Sequence, residues 1–239
     1  MKKIAAPILE ISNLCKKEKN TTIDRLNIIL PIGESMAVLY KNDAAIELLC
    51  DILKGVKKSD KGKVFFKSND VTGVKNNFGV VHKNPDIPKT KSVSDFAAAP
   101  VVKRGLSRKM ASALIQKELS AFELSDYGEK TVSLLPDNLI KRTAVFNAYM
   151  CSHELLVIDE PYANLESEVR ESELKLLENV KNNSKLSMLM FTKSIDLGLR
   201  FADTVMVVDS NTCSAGIISV DRRKIDLTAA KIKELYDSI

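Results

Sequence analysis

Four short runs of apolar residues, at 36–39, 155–158, 186–191 and 204–208, lack the polar alternation expected of a strand with one wet face. A strand can be apolar at nearly every position only when both its faces are covered, as in a central strand of a parallel sheet flanked by helices. Helical patterns lie between these runs. Residues 45–53 follow the first and end near Gly55, 166–179 follow the second, and 195–201 separate the last two. Strand followed by helix, repeated along the chain, predicts an α/β sheet.

Other segments surround this frame. Residues 7–11 and 23–31 read as strands, the second closed by a turn at Gly33-Glu34; 62–66 and 78–81 are further strands with Asn and Gly turn residues between them. Beyond Pro88 the pattern becomes helical. Residues 92–102 and 107–122 carry apolar side chains at helical spacing (Met110, Leu114, Leu119, Phe122), Ser107 is placed to cap the second, and 139–150 forms another helix. A hairpin-like stretch at 216–220 and a helix at 228–236 close the chain. No internal repeat, low-complexity tract or linker interrupts it, which predicts one domain over 1–239 with a helical subdomain at about 86–150.

Composition narrows the functional classes. With 239 residues, 45% hydrophobic and 28% charged, the chain can bury a full core and has the balance of a soluble globular protein. No apolar run approaches the roughly 20 residues of a membrane span, and the stretch at 5–11 is interrupted by Pro7 and Glu10, so the expected location is cytoplasmic. The net charge of +5 comes from lysines interspersed with acids, as at Lys54, Lys57, Lys58 and Asp60, which predicts a solvated surface and no nucleic-acid partner. Cys15, Cys50, Cys151 and Cys213 lie far apart, and only His82 and His153 could join them as ligands, so buried free thiols are expected.

The chemistry-bearing signal is the run at 155–158 leading into Asp159-Glu160-Pro161. Two carboxylates at the carboxyl end of a buried parallel strand open onto the ligand crevice, where one can hold magnesium and the next can orient water. Alone, an apolar strand followed by an acidic turn is commonplace. Its surroundings are not: from about Ile8 to Ile225 the chain resembles the ABC transporter ATP-binding subunits, with the landmarks of that family in order. Residues 33–55 lie without a gap on the family's strand, P-loop and helix; 78–85 lie on the Q-loop strand; 135–139 on the signature; 159–166 on Walker B and the D-loop; and 191–194 on the switch-histidine segment. The resemblance implies a P-loop NTPase-like α/β cassette with an antiparallel β subdomain and a helical subdomain.

Several matching positions depart from the family pattern. The P-loop needs glycines whose backbone N–H groups cradle phosphate, a lysine to neutralise it and a hydroxyl for magnesium. Here Tyr40, Asp43, Ala45, Ile46 and Glu47 stand at those positions, with Lys41 and Asn42 between them. Asp43 and Glu47 add negative charge where phosphate would sit, and one such like-charge pair at 4 Å costs about 4 kcal/mol at an effective dielectric of 20. Lys41 is the neighbour that could swing in as a replacement cation. Asn42 and Asp43 tolerate left-handed backbone, so the loop's shape can outlive its site. No adenine-stacking aromatic stands near Lys17 or Glu18, Lys83 replaces the Q-loop Gln, Lys193 replaces the switch His, and Pro136-Asp137-Asn138 replaces Ser-Gly-Gly in the signature.

Only Asp159, the magnesium ligand of the resemblance, and Glu160, its catalytic base, keep the family's residues. Either they serve a divergent metal site or they support the turn at Pro161, and the second is the preferred reading. The expectation is a catalytically impaired subunit, structural or regulatory, peripheral on the cytoplasmic face of the membrane. Its implied partners are a permease-like transmembrane subunit and another ABC ATPase subunit, and it uses no cofactor. The alternative is a divergent active ATPase using Lys41, Glu47, Asp159 and Glu160 with ATP and magnesium. Asn164-Leu165-Glu166 resembles the form found in the lipoprotein-release, macrolide-export and cell-division branch.

Overall fold

A computed structural model describes residues 7–75 and 77–239; the first two residues of the interrupted apolar stretch 5–11, and Asn76 in the turn before the Q-loop-like strand, lie outside them. The chain runs β1 (Pro7–Glu18), β2 (Thr21–Pro31), β3 (Ser35–Leu39), α1 (Asp43–Leu53), β4 (Lys61–Phe66), β5 (Asn69–Asp70) and β6 (Gly79–Val81). Three helices follow: α2 (Val93–Lys103), α3 (Arg108–Leu119) and, after three 3-10 turns between Ser120 and Leu134, α4 (Asp137–Cys151). Then come β7 (Leu155–Asp159), α5 (Ser167–Asn183), β8 (Ser187–Thr192), α6 (Ile195–Phe201), β9 (Thr204–Val208), β10 (Ser214–Ser219) and α7 (Ile225–Asp237).

Two sheets result. The larger has the order β10-β9-β3-β8-β7-β6, in which β9, β3, β8, β7 and β6 are parallel and β10 pairs antiparallel with β9 at one edge. Every residue of β3, β7 and β8 is buried, which is why these runs carry no alternation. The smaller sheet, β2-β1-β4-β5, is antiparallel and half-wetted, so its inward set (Ile8, Leu9, Ile11, Leu14, Ile23, Leu26, Ile28, Leu30) shares one apolar cluster with α1 and one face of the larger sheet.

The other face of the larger sheet is covered by α4, α5 and the helices beyond them, around Phe122, Phe146, Leu156 and Met190. β6 approaches α4 so closely that a Cβ at Gly79 would collide with the backbone of Ala148. α4 is joined to α5 by a buried ion pair. The Arg142 guanidinium donates from Nε at 2.9 Å and from a terminal nitrogen at 2.8 Å to the two carboxylate oxygens of Glu173, which is wholly buried. Asn138 Nδ2 adds a third hydrogen bond to the same carboxylate at 3.0 Å.

Element positions agree with the sequence reading, with three differences. β1 extends to Glu18, past the expected 7–11, because register shifts between Ile11 and Lys16 break its period of two. The helix expected over 107–122 ends at Leu119 and finishes as a 3-10 turn closed by left-handed Glu123 (φ 51°). Of the four cysteines only Cys50 is buried, whereas Cys15, Cys151 and Cys213 are partly exposed free thiols. Among the described residues no helix is long and apolar enough to cross a membrane.

The Arg142–Glu173 pair generates a stability test. Glu173→Ala strands a buried guanidinium and is expected to lower unfolding free energy by about 3–5 kcal/mol in denaturant melts, whereas the Arg142→Met, Glu173→Leu double variant recovers most of that loss.

Candidate functional site

Because β3, β8, β7 and β6 are parallel neighbours, their carboxyl ends open at one edge of the sheet. Tyr40 follows β3, Asp159 ends β7, Glu160 follows it, Lys193 follows β8, and Lys83 lies two residues past β6. Six of the residues singled out in the sequence therefore gather there: Tyr40, Asp43, Lys83, Asp159, Glu160 and Lys193.

Their contacts form one network. The Tyr40 hydroxyl donates to Asp159 Oδ1 at 3.0 Å and lies 3.4 Å from Asp43 Oδ1. Lys193 Nζ donates to Asp43 Oδ2 at 2.5 Å, and Lys83 Nζ stands 3.6 Å from Asp43 Oδ1. Glu160 Oε1 accepts from the main-chain N–H of Lys193 at 2.5 Å and lies 3.4 Å from Thr192 Oγ1. The Glu160 backbone sits at φ 43°, the sparsely populated left-handed region for a residue with a side chain. Asp43, expected to add negative charge where phosphate would sit, is faced by two ammonium groups.

Burial sets the protonation of the network. Desolvation is the main force raising Asp159 from 3.8 to about 6; the Tyr40 hydrogen bond opposes it and the nearby Glu160 charge adds to it. Burial, and then the Asp159 charge, push Tyr40 far above its ordinary value, so its hydroxyl remains a donor. The hydrogen bond from Lys193 holds Asp43 below the usual carboxylate range.

The remaining loop positions point elsewhere. Ala45 and Ile46 face the core, Ile46 being 1% exposed. Asn42 caps α1, accepting from Ala45 N–H at 3.3 Å, and donates through Nδ2 to Ser210 O at 2.9 Å. Lys41, expected as a replacement cation, is turned toward α7: its Nζ donates to the main-chain oxygen of Ile239 at 2.6 Å and lies 5.1 Å from the centre of the Tyr236 ring. Tyr236 also holds the loop, its hydroxyl donating to the Tyr40 carbonyl at 2.9 Å. Glu47 lines an adjoining cleft of about 540 Å³ with Asp43, Asp51, Lys54, Asp86 and Asp159. In the signature-like segment, Pro136 precedes α4, Leu135 and Leu139 are buried, and Asn138 is committed to Glu173.

Sequence reasoning missed several of these residues. Asp51 and Lys54 stand four and seven residues after Glu47, so helical periodicity alone puts them on the face that looks into the cleft. His82 Nε2, also in the cleft, lies 3.5 Å from Asp51 Oδ1, with burial lowering its basicity. Nothing in the sequence signals that the Tyr40 hydroxyl meets Asp159, or that Tyr236 meets Tyr40 from almost 200 residues away.

With this geometry established, solved structures match the whole chain. An ATP-binding cassette of an ABC transporter, MJ1267 in its ADP conformation, superposes with a TM-score of 0.76 over 98% of this chain and 99% of its own, at 18% identity. The fold is that of an ATP-binding cassette. CbiO1 of Clostridium perfringens, part of the ABC transporter complex CbiONQ, gives a TM-score of 0.75 at 19% identity, over 97% of this chain and 99% of its own. In sequence the cassette is similar to ATP-binding subunits of ABC transporters. It is 25% identical over 209 residues to the taurine import ATP-binding protein TauB of Pseudomonas aeruginosa, covering 87% of this chain and 80% of TauB. Identity to the tungstate uptake system ATP-binding protein TupC of Peptoclostridium acidaminophilum is 23% over 203 residues, 84% of this chain and 94% of TupC. Across the curated relatives the cassette spans from 42% to 94% of their length. No family model matches the chain.

Asp159 supplies the pH test. Its folded value of about 6 lies above its unfolded 3.8, so the folded state holds this proton more tightly and wild-type stability falls as pH rises from about 4 to 6. Asp159→Asn removes that loss. Its melts should coincide with wild type below pH 4 and show a gain of about 2–3 kcal/mol above pH 6.

Proposed function

We propose that this chain is a catalytically impaired subunit of an ABC-type membrane complex, acting as a structural or regulatory scaffold on the cytoplasmic side of a permease-like partner. The observation that carries the reading is Ile46. At the position where the resemblance calls for the phosphate-neutralising lysine, the chain has an aliphatic side chain buried in the core, 1% exposed, on the inner face of α1. An isoleucine there brings no cation to the loop.

The rest of the donor set does not fit magnesium-bound ATP either. Asp159, the implied metal ligand, has one carboxylate oxygen taken by the Tyr40 hydroxyl. Glu160, the implied base, is held by the Lys193 main chain. Lys41 is committed to α7. Around the adjoining cleft five carboxylates, Asp43, Glu47, Asp51, Asp86 and Asp159, face two lysines, Lys54 and Lys83. Lys83 and Lys193 are turned to Asp43, and an acid left without such a partner would cost an incoming phosphate about 4 kcal/mol at 4 Å and an effective dielectric of 20, about half of a micromolar binding energy of about 8 kcal/mol.

Scaffold and partner are argued from the relatives. CbiO1 is part of an ABC transporter complex, TauB is a taurine import ATP-binding protein and TupC a tungstate uptake system ATP-binding protein. The shared fold supports a place beside a permease-like partner and a second ATPase subunit. Asn164-Leu165-Glu166 points toward the lipoprotein-release branch while the named relatives are import and uptake proteins; the scaffold reading holds for either direction of transport.

Calorimetric titration with magnesium-ATP tests the proposal. Wild type should show no binding tighter than about 1 mM, equivalent to about 4 kcal/mol, and Glu160→Gln should leave any residual hydrolysis unchanged. Micromolar binding, or hydrolysis abolished by Glu160→Gln, would establish an active ATPase subunit instead.

A further inference from the structure

Lys83 and Lys193 reach the same carboxylate from two different strand ends. β6 and β8 are separated in the sheet by β7, yet both ammonium groups converge on Asp43, at 3.6 Å from Oδ1 and 2.5 Å from Oδ2, with the Tyr40 hydroxyl 3.4 Å from Oδ1. Two cations meeting on one small anion is the arrangement that recognises a phosphoryl oxygen, while the Tyr40 proton is given to Asp159. Here the anion belongs to the chain. Asp43 opens α1, whose cap is Asn42; an acid in the first turn suits the helix dipole, and here the same carboxylate also takes both ammonium groups. Its side chain is 54% exposed and lines the open cleft, so the position is within reach of solutes.

We propose that Asp43 is the specificity-determining residue of this edge: its carboxylate is an internal anion that occupies the Lys83–Lys193 seat and excludes phosphate from it. The proposal rests on the reading that wild type does not hold nucleotide here, and it names the residue responsible. Its chemistry is substitution of one anion for another. When Asp43 loses its charge, Lys83 and Lys193 lose their shared acceptor, while Asp159 stays hydrogen-bonded to Tyr40 and Glu160 to the Lys193 main chain. The vacated seat then offers two ammonium groups without their shared acceptor, and these take a polyphosphate without needing a lysine at position 46.

The test uses the full chain and tripolyphosphate, a probe that carries the charge of a nucleotide without its base. Binding is followed by NMR shifts of the amides at 40–47, 83 and 193 at constant ionic strength. Asp43→Asn keeps side-chain size and should bind tripolyphosphate at least ten-fold more tightly than wild type; adding Lys193→Ala should remove the gain. Asp43→Ser serves as the second variant if the asparagine protein fails to fold. Variants that bind no better than a non-binding wild type, or a gain that survives Lys193→Ala, would overturn the role of Asp43 alone. A wild type that binds as tightly as the variants would overturn both this role and the reading beneath it.

Discussion

Main-chain hydrogen bonding in central strands with no wet face is the constraint on which the rest depends. β3, β7 and β8 are buried at every position, so their amides and carbonyls have only one another to pair with. Parallel pairing satisfies them in a register that runs from Ser35 opposite Met188 to Leu39 opposite Thr192, and from Leu155 opposite Ser187 to Asp159 opposite Phe191. A slip by one residue would turn each apolar set to the other face and leave a strand end unpaired. Such a register delivers Tyr40, Asp159 and Lys193 to the same edge, Tyr40 level with Lys193 and Asp159 two residues before it, whatever chemistry those residues then perform.

The charges gathered at that edge neutralise one another by proximity. Asp43 is balanced by two lysines from separate strand ends, Glu160 by a main-chain N–H, and Asp159 by a phenol hydroxyl and by its own reluctance to ionise. Lone ionised groups in this partly desolvated place would be expensive, and each has found a partner within the chain. Lys41 shows the same rule at the margin, because its ammonium is satisfied by the main chain at Ile239 and the face of Tyr236.

Much of the fold was legible because burial on both faces leaves a plain mark: unbroken apolar runs at 155–158 and 204–208 have one structural meaning. Less legible was whatever breaks a period. β1 reads as a strand only to Ile11 because Asn13 takes a left-handed conformation (φ 46°) and the alternation restarts out of phase; β5 is two polar residues long and leaves no mark at all. At the site, strand ends told which residues gather, and the resemblance set Lys83 and Lys193 beside the family's glutamine and histidine positions. Side-chain direction was not legible. Lys41 and Asp43 stand two residues apart in the same loop, yet one turns to the C-terminal helix and the other to the cluster, a choice made by α7 and by β6, distant elements that local sequence does not encode.

The approach of β6 to α4 carries a mechanical consequence. Side-chain packing normally cushions a helix against a sheet, letting the two slide by small rotamer changes. At Gly79 that cushion is missing, since the strand's backbone rests against the backbone of Ala148. At that point a push on the helical layer meets backbone, not a side chain that can yield. It passes as rigid displacement into a three-residue strand and arrives, four residues on, at the ammonium group of Lys83, so anything that leans on the helices leans on the charge cluster as well.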